Sequence, residues 1–176
     1  MTSHVLAVMG VSASGKTTLG RRLAERLHWP FLEGDDLHSP GSRAKMAAGQ
    51  PLDDIDRGPW LQAIAAWIAA RLREGTCGVV ACSALKRAYR LTLSGGRPEV
   101  RFVFLDGPRE VLEARLHARK GHFMPPDLLD SQLRTLERPT EDEHAIVVDL
   151  RWPLQAQEAA VLEALGVGGS ADRRDV

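Results

Sequence analysis

The sequence predicts an α/β fold in which a five-stranded parallel sheet is covered by helices on both faces. Five short apolar runs of strand length alternate with segments whose apolar residues recur at helical spacing, and this alternation is typical of such sheets. Two of the runs, 102–105 and 146–148, are continuously apolar, which is typical of strands that are buried on both sides. These observations predict a three-layer arrangement of helices, sheet and helices.

The predicted strands and helices follow one another along almost the whole chain. Strands are expected at about 4–9, 30–33, 78–82, 101–105 and 145–150, and helices at about 15–27, 57–73, 86–94, 108–119 and 154–165. In the second helix Leu61, Ile64 and Ile68 share one face, which indicates a core or subunit contact rather than a cofactor platform. Ligands of parallel sheets collect at the carboxyl ends of the strands, so the residues that follow each strand are the first candidates for function.

Length and charge exclude several classes of protein. The 176 residues suffice for one domain, expected at 1–165, and the glycine-rich end at 166–176 is expected to be a flexible tail. Lys plus Arg equal Asp plus Glu at 23 each, so no net charge would hold the chain on nucleic acid or on an anionic membrane. No apolar run approaches the roughly 20 residues that cross a bilayer, and two cysteines are too few for a disulfide framework. We therefore expect a cytoplasmic enzyme without nucleic-acid or membrane partners.

The segment 10–17 reads G-V-S-A-S-G-K-T and matches the phosphate-binding pattern G-x-x-x-x-G-K-[ST]. It lies between a predicted strand and a predicted helix, which is the context that this loop requires. Its backbone N–H groups would bind a polyphosphate at the positive end of the helix, Lys16 would reach the β- and γ-phosphates, and the Thr17 hydroxyl would ligate Mg²⁺. The residues predicted to bind the nucleotide here are Gly10, Val11, Ser12, Ala13, Ser14, Gly15, Lys16, Thr17 and Thr18. The sequence thus predicts a site for ATP and Mg²⁺.

Charged residues follow the second and third predicted strands. Asp35, shortly after the second strand, would lie across the sheet crevice from the γ-phosphate, where it can accept a proton from an attacking hydroxyl or hold Mg²⁺ through water. Lys86 and Arg90, after the third strand, lie one helical turn apart, and two cations on one helix face favour an anionic substrate between them. The alternatives are a solvated turn for Asp35 and a solvated helix face for the two cations.

The segment 119–126 combines two cations, a glycine and a double proline at the end of a predicted helix. This composition is typical of a hinged segment that closes over bound phosphates and excludes water. Arg119, delivered in this way, would stabilise charge on the transferring phosphoryl group. The alternative is a helix end at which the cations interact favourably with the helix dipole and Gly121 ends the helix.

Taken together, these motifs are similar to those of the gluconate kinases, or gluconokinases, which share the phosphate-loop kinase fold of shikimate and nucleoside-monophosphate kinases. The resemblance covers about 5–165 and is carried by MGVSASGKT, FLEGDDLH, KMAAGQPLDDIDRGPW, ACSALKRAYR, ARKGHFMPPDLLDSQLRTLERP and VVDL. It implies transfer of the γ-phosphoryl group of ATP to the 6-hydroxyl of D-gluconate, giving 6-phosphogluconate and ADP. It also implies a mobile lid at about 119–136 and a homodimer.

The resemblance assigns roles to individual residues. It implies that Asp35 is the base that orients the 6-hydroxyl. It implies that Lys16 and Arg119 act on the phosphates and that Pro153 lies near the adenine. The candidates for binding the sugar acid, in addition to Asp35, are His38, Lys45, Arg57, Lys86, Arg90 and His122.

The sequence departs from the family pattern beside the predicted aspartate and in the phosphate loop. Ser39 separates His38 from Pro40. Ser42 stands where the family usually has asparagine, and Ala13 stands where it commonly has glycine. Two alternatives stay open: the acceptor could be shikimate, a nucleotide or another sugar acid, or the chain could be a nucleotide-dependent switch. A switch would need a partner surface that responds to the γ-phosphate, and the sequence has no signature of one.

Overall fold

A parallel sheet of five strands organises the chain, in the order β2-β3-β1-β4-β5. The strands are β1 (Val5–Met9), β2 (Phe31–Glu33), β3 (Gly78–Ala81), β4 (Val100–Asp106) and β5 (Ile146–Asp149). These bounds come from a computed structural model, which describes residues 4–118 and 126–167. Every pairing between neighbouring strands is parallel, so the predicted sheet is confirmed.

Helices follow the strands throughout the described residues. They are α1 (Lys16–Leu27), α2 (Pro40–Ala47), α3 (Asp54–Arg73), α4 (Arg87–Ser94), α5 (Arg109–Ala118), α6 (Pro126–Thr135) and α7 (Leu154–Ala164). Short 3₁₀ helices lie at Gly34–Leu37 and Glu141–Glu143. The sequence does not predict α2, because this helix buries little besides Ser42 and lacks apolar periodicity, and α6 falls in the segment expected to be a lid. None of these helices is long and apolar enough to cross a membrane.

Helices cover both faces of the sheet. On one face α3 and α4 pack against alternate residues of the central strands, including Met9, Val80 and Phe104. On the other face α1 and α7 pack against the intervening residues, among them Val8 and Val148. The predicted three-layer arrangement is therefore confirmed.

Helix α3 begins at Asp54, earlier than the predicted start at 57. The Asp53 carboxylate accepts from the Asp56 N–H at 2.8 Å, and the Asp56 carboxylate accepts from the Asp53 N–H at 3.2 Å. This reciprocal capping satisfies two backbone N–H groups at the helix start. Further along α3, Ile64 and Ile68 are fully buried against the sheet, so the predicted apolar stripe is a core contact.

Strand β1 lies at the centre of the sheet, with β3 on one side and β4 on the other. The connection that leaves β1 runs to β2, whereas the connection that leaves the adjacent β3 runs in the opposite direction to β4, and such a reversal opens a crevice at the carboxyl ends of the strands. The segment 10–15, between β1 and α1, lies at this crevice, and the residues that follow β2 and β3 reach the same edge. The fold thus assembles at one edge the segments that the sequence singles out.

Candidate active site

The segment 10–15 forms a tight loop between β1 and α1. Gly10 and Gly15 have positive φ angles of 147° and 96°, which glycine adopts without strain. A Cβ atom on Gly10 would lie 2.8 Å from the Ser14 Oγ, so the loop closes too tightly for a side chain there. Ala13 also has a positive φ, 65°, a left-handed conformation that alanine rarely adopts. The loop therefore has the curled backbone that phosphate binding requires.

Lys16 and Thr17 begin α1 and lie beside the loop. The Lys16 Nζ donates to the Val11 carbonyl at 3.1 Å, so the ammonium group lies against the curled backbone. The Thr17 hydroxyl donates to the Glu33 carboxylate, at the end of β2, at 2.6 Å. Glu33 is not among the predicted site residues, although its place at the carboxyl end of a strand points to it. A hydroxyl and a carboxylate oxygen side by side are ligands that suit Mg²⁺.

Three charged groups act on the thiol of Cys82, which directly follows β3. Burial raises the pKa of the Cys82 thiol to about 12, although a hydrogen bond from the Ala84 backbone lowers it. Asp35 and Glu33 raise this pKa further and Lys16 lowers it, so all three charges act on the same thiol. The lysine of the phosphate loop and the acids at and after the end of β2 therefore lie near enough to Cys82 for their charges to act on it.

Asp35 lies in the 3₁₀ helix Gly34–Leu37, which is held in place by contacts of His38 and Trp60. Its side chain is 66% exposed, and its Oδ1 lies 3.9 Å from the His38 Nε2. His38 is buried and stacks on Trp60 with ring centroids 4.3 Å apart, while the Trp60 Nε1 donates to the Gly34 carbonyl at 2.7 Å. Burial lowers the pKa of His38, Asp35 opposes this effect, and Arg57 adds to it. The imidazole is therefore mostly neutral at pH 7.

Both lysines predicted to bind the acceptor form ion pairs with acids at the start of α3. The Lys45 Nζ donates to both oxygens of Asp56, each at 2.8 Å, and the Lys86 Nζ donates to Asp54 at 2.8 and 3.0 Å. The hydrogen bond from Lys45 lowers the pKa of the Asp56 carboxyl, and the hydrogen bond from Lys86 lowers that of Asp54. Because both pairs are partly exposed to solvent, a substrate carboxylate can compete with the aspartates for the ammonium groups.

Arg57 lies next to the second of these pairs. Its Nη1 donates to the Tyr89 hydroxyl at 3.2 Å, and its guanidinium carbon lies 5.6 Å from the centroid of the Tyr89 ring. The Tyr89 hydroxyl donates in turn to Asp54, and the Lys86 Nζ lies 5.4 Å from the same ring centroid. Tyr89, which the sequence does not single out, therefore brings two predicted cations together. We call the following residues the acceptor-side cluster: Lys45, Asp54, Asp56, Arg57, Lys86 and Tyr89.

Arg90 is buried inside the fold, which corrects the prediction that it faces a substrate together with Lys86. Its side chain is 1% exposed, and its Nε and Nη2 donate to the Glu143 carboxylate at 2.5 and 2.9 Å. Its Nη1 donates to three backbone carbonyl groups, those of Ala84, Leu85 and Glu137. Arg90 therefore joins α4 to the segments that precede β5. Helical spacing gives the face on which a residue lies, but it does not show what packs on that face.

Two helices hold the phosphate loop through residues that are not among those predicted. Arg115, on α5, donates through its Nη1 to the Ser14 carbonyl at 3.1 Å and to the Ala13 carbonyl at 3.4 Å. Gln132, on α6, accepts at its Oε1 a hydrogen bond from the Ser12 N–H at 2.6 Å. More than 100 positions separate the partners of each pair. Because only the fold brings such residues together, sequence spacing carries no sign of these contacts.

The remaining predicted residues lie at the rim of the crevice or outside the described residues. Arg119 and His122 fall between 118 and 126 and are not described. Thr18 is exposed in the first turn of α1. Pro153 precedes α7 and follows Leu150, whose carbonyl accepts a hydrogen bond from the Arg115 Nη2. Arg115 therefore binds both the phosphate loop and the segment that leads to Pro153, the residue predicted to lie near the adenine.

Known proteins share this architecture and this sequence. Residues 5–139 match the protein family described as an AAA domain. The thermoresistant gluconokinase of Escherichia coli (strain K12) is 43% identical over 166 residues, which are 94% of this chain and 95% of that protein. The gluconokinase of Gluconobacter oxydans (strain 621H) is 50% identical over 143 residues, which are 81% of this chain and 80% of that protein. The solved structure of a gluconokinase from Sinorhizobium meliloti 1021 is 45% identical, with a TM-score of 0.85 over 94% of this chain and 93% of that chain. The chain belongs to the gluconokinase family.

Proposed function

We propose that this protein transfers the γ-phosphoryl group of ATP to the 6-hydroxyl of D-gluconate and releases 6-phospho-D-gluconate and ADP. The observation that carries the proposal is the curled loop 10–15 with the Lys16 ammonium against it, at the sheet edge that the segment with Asp35 also reaches, in a chain of the gluconokinase family. The names of the relatives support D-gluconate as the acceptor. Within the described residues, no feature favours another acceptor or a binding switch.

In this reaction the protein would contribute positioning and electrostatic stabilisation, because phosphoryl transfer passes through a loose transition state. The loop N–H groups and Lys16 would hold the β- and γ-phosphates and stabilise the charge that develops on them. Asp35 has an exposed side chain, so the acceptor can reach it. Its carboxylate would orient the 6-hydroxyl towards phosphorus and take the hydroxyl proton as the new O–P bond forms and the bond to ADP breaks.

The oxygen ligands at this edge suit Mg²⁺. The Thr17 hydroxyl and the Glu33 carboxylate are already hydrogen-bonded to each other, so both can reach one cation, and Asp35 would contribute through water. The described residues contain no group of three or more His, Cys, Asp or Glu side chains that could hold a metal ion. Such a set is not needed, because Mg²⁺ is usually held by one or two side chains, substrate phosphates and water. When bound, it would neutralise charge on the phosphates.

The acceptor-side cluster supports an anionic sugar acid as the acceptor. Lys45, Arg57 and Lys86 would bind its carboxylate, in competition with the acids that now neutralise the two lysines. The imidazole of His38 lies beside Asp35 and would hydrogen-bond a hydroxyl of the polyol. These two kinds of contact would place cations at one end of the acceptor and a neutral imidazole beside one of its hydroxyl groups.

Further parts of the proposal rest on the family resemblance. Arg119 and His122 would complete the site from a mobile lid at about 119–136, and Pro153 would lie near the adenine. The protein would be a homodimer in the cytoplasm. These statements remain predictions, and each can be tested once activity has been measured.

The test is ADP release by the purified protein with Mg-ATP and a panel of acceptors. The panel contains D-gluconate, other aldonates, shikimate and nucleoside monophosphates, and a reaction without acceptor is the control. Strong stimulation by D-gluconate alone would support the proposal. Stimulation by a different acid would keep the kinase mechanism but reject the acceptor. No stimulation by any acceptor, with ATP still bound, would reject the kinase and favour a switch.

A further inference from the structure

The peptide between Val11 and Ser12 in the phosphate loop is held on both of its edges. Its carbonyl group accepts a hydrogen bond from the Lys16 Nζ at 3.1 Å. Its N–H group donates to the Oε1 of Gln132, on α6, at 2.6 Å. Because the C=O and N–H groups of a trans peptide point in opposite directions, the two bonds together fix the orientation of this peptide.

The side-chain amide of Gln132 has a defined orientation on a packed helix. An N–H group can only donate, so the atom that faces the Ser12 N–H must be the amide oxygen. Helix α6 is held in place by Leu129, which is buried in one cluster with Val11 of the loop and Leu112 of α5. The amide oxygen therefore reaches the loop from one direction when α6, which belongs to the proposed lid, is packed against the loop.

Helices α5 and α6 adjoin residues 119–125 from either side, and both contact the phosphate loop. Arg115, on α5, acts as a donor to the Ser14 carbonyl, whereas Gln132, on α6, acts as an acceptor for the Ser12 N–H. The Gln132 bond differs in another respect, because it shares its peptide with the bond to Lys16. Gln132 is therefore the contact through which α6 can act on the lysine.

We propose that Gln132 is a positioning residue for phosphoryl transfer, which holds the Val11–Ser12 peptide so that its carbonyl orients the Lys16 ammonium group. An ammonium group has three donors, and engaging one of them on a fixed carbonyl restricts the directions of the others. Preorganised donors stabilise a transition state better than donors that must reorganise during the reaction. This inference rests on the proposed function, because it assumes that Lys16 acts on the transferring phosphoryl group.

Two substitutions test the hydrogen-bond acceptor of Gln132 separately from the length of its side chain. Gln132→Met keeps the length of the side chain but cannot accept from the Ser12 N–H, and we expect kcat to fall about tenfold, the effect of losing one hydrogen bond. Gln132→Glu keeps an oxygen acceptor, on the side of the peptide opposite to Lys16, and kcat should stay within about threefold of the wild type. Arg134→Met, at an exposed position of the same helix, is the matched control and should leave kcat unchanged.

The readout is steady-state kinetics together with thermal denaturation. The proposal predicts that Gln132→Met lowers kcat while the KM for D-gluconate and the Tm stay close to the wild-type values. It is overturned if Gln132→Met keeps the wild-type kcat, if Gln132→Glu is as slow as Gln132→Met, or if kcat falls only in parallel with Tm. ATP hydrolysis without an acceptor, measured on the same proteins, distinguishes a failure of the proposed function from a failure of the proposed role of Gln132. A wild type that D-gluconate does not stimulate rejects the proposed function, whereas the ratio of hydrolysis rates between the variants still tests Gln132.

Discussion

The nucleotide side and the acceptor side of the crevice are built in different ways. In the phosphate loop, the side chains of Lys16, Arg115 and Gln132 all bind backbone groups of a curled and tightly closed segment. On the acceptor side, the contacts join one side chain to another, as in the pair of Lys86 with Asp54. The first region is therefore a rigid cradle, and the second is a set of partly exposed ion pairs that a ligand can rearrange.

This difference separates two kinds of mutational effect. A single side chain that binds the loop backbone orients loop groups but contributes little to packing, so substitutions there should change the rate of transfer and leave stability almost unaffected. Exposed ion pairs contribute little to stability, so substitutions in the acceptor-side cluster should change the affinity for the acceptor. Arg90 is a cation close to the acceptor-side cluster, but its side chain is buried in the interior. Its substitution should therefore affect stability, unlike substitutions within the cluster.

The largest effect is expected from Lys16→Ala. Removing one preorganised donor at a transferring group costs about 10²–10³ in kcat, so turnover should fall at least about 100-fold. The Tm should change by no more than about 2 °C, because the side chain is only partly buried and contributes little to packing. Steady-state kinetics and thermal denaturation measure the two quantities. A variant that keeps more than about a tenth of the wild-type kcat would contradict the assigned role.

Asp35→Asn should have the next largest effect. The amide cannot take the hydroxyl proton, so kcat should fall about 100-fold, while the dissociation constant for Mg-ADP should change less than about threefold. Asp36→Asn, at the exposed neighbouring position, is the control and should leave both quantities unchanged. Isothermal titration with Mg-ADP gives the affinity. An equal loss of affinity and kcat in Asp35→Asn would indicate a metal-binding or structural role instead.

Lys86→Met and Arg90→Met, one helical turn apart, should fail in different ways. Lys86→Met should raise the KM for D-gluconate about tenfold and leave the Tm unchanged, because it removes an exposed charge. Arg90→Met leaves the Glu143 carboxylate without its buried partner, so the free energy of unfolding should fall by about 3–5 kcal/mol. Urea denaturation and acceptor titrations measure both variants. If Arg90→Met raised KM with no loss of stability, Arg90 would belong to the acceptor site after all.

The smallest effect is expected in the dependence of stability on pH. Burial lowers the pKa of His38 below its usual value near 6.5, so at acid pH the unfolded chain binds this proton more readily than the folded chain does. The stability that neutral His38 contributes is therefore present above pH 6.5 and is lost as the pH falls through the folded pKa. His38→Phe keeps the ring on Trp60 but cannot be protonated, so its Tm should decline less than that of the wild type between about pH 7 and 5. Parallel declines in the two proteins would show that His38 does not titrate in this way.

The same comparison explains how far the sequence predicts the structure. The loop, Lys16 and Thr17 are adjacent in sequence and depend on local backbone geometry, so a short pattern predicts them. Arg90 is assigned to the crevice in the sequence analysis because two cations at helical spacing look alike whether they meet a ligand or a buried carboxylate. Gln132 escapes prediction because its partner in the loop is 120 positions away. The five strands are predicted because buried parallel strands are continuously apolar. Helix α2 is not predicted because it lacks the apolar periodicity of a helix that packs on the core.

The central position of β1 also bears on how the chain folds during synthesis. Val5 pairs with Gly78 of β3 and with Val100 of β4. Strand β1, which is synthesised first, therefore has no strand to pair with until β3 and β4 have been made. Contacts between residues that are far apart in sequence form slowly and late. A nascent chain that stops before residue 100 therefore carries the whole motif for nucleotide binding but lacks the strand that flanks it on one side. The ability to bind ATP, although its motif occupies eight consecutive residues, is therefore expected only after β4 has been made.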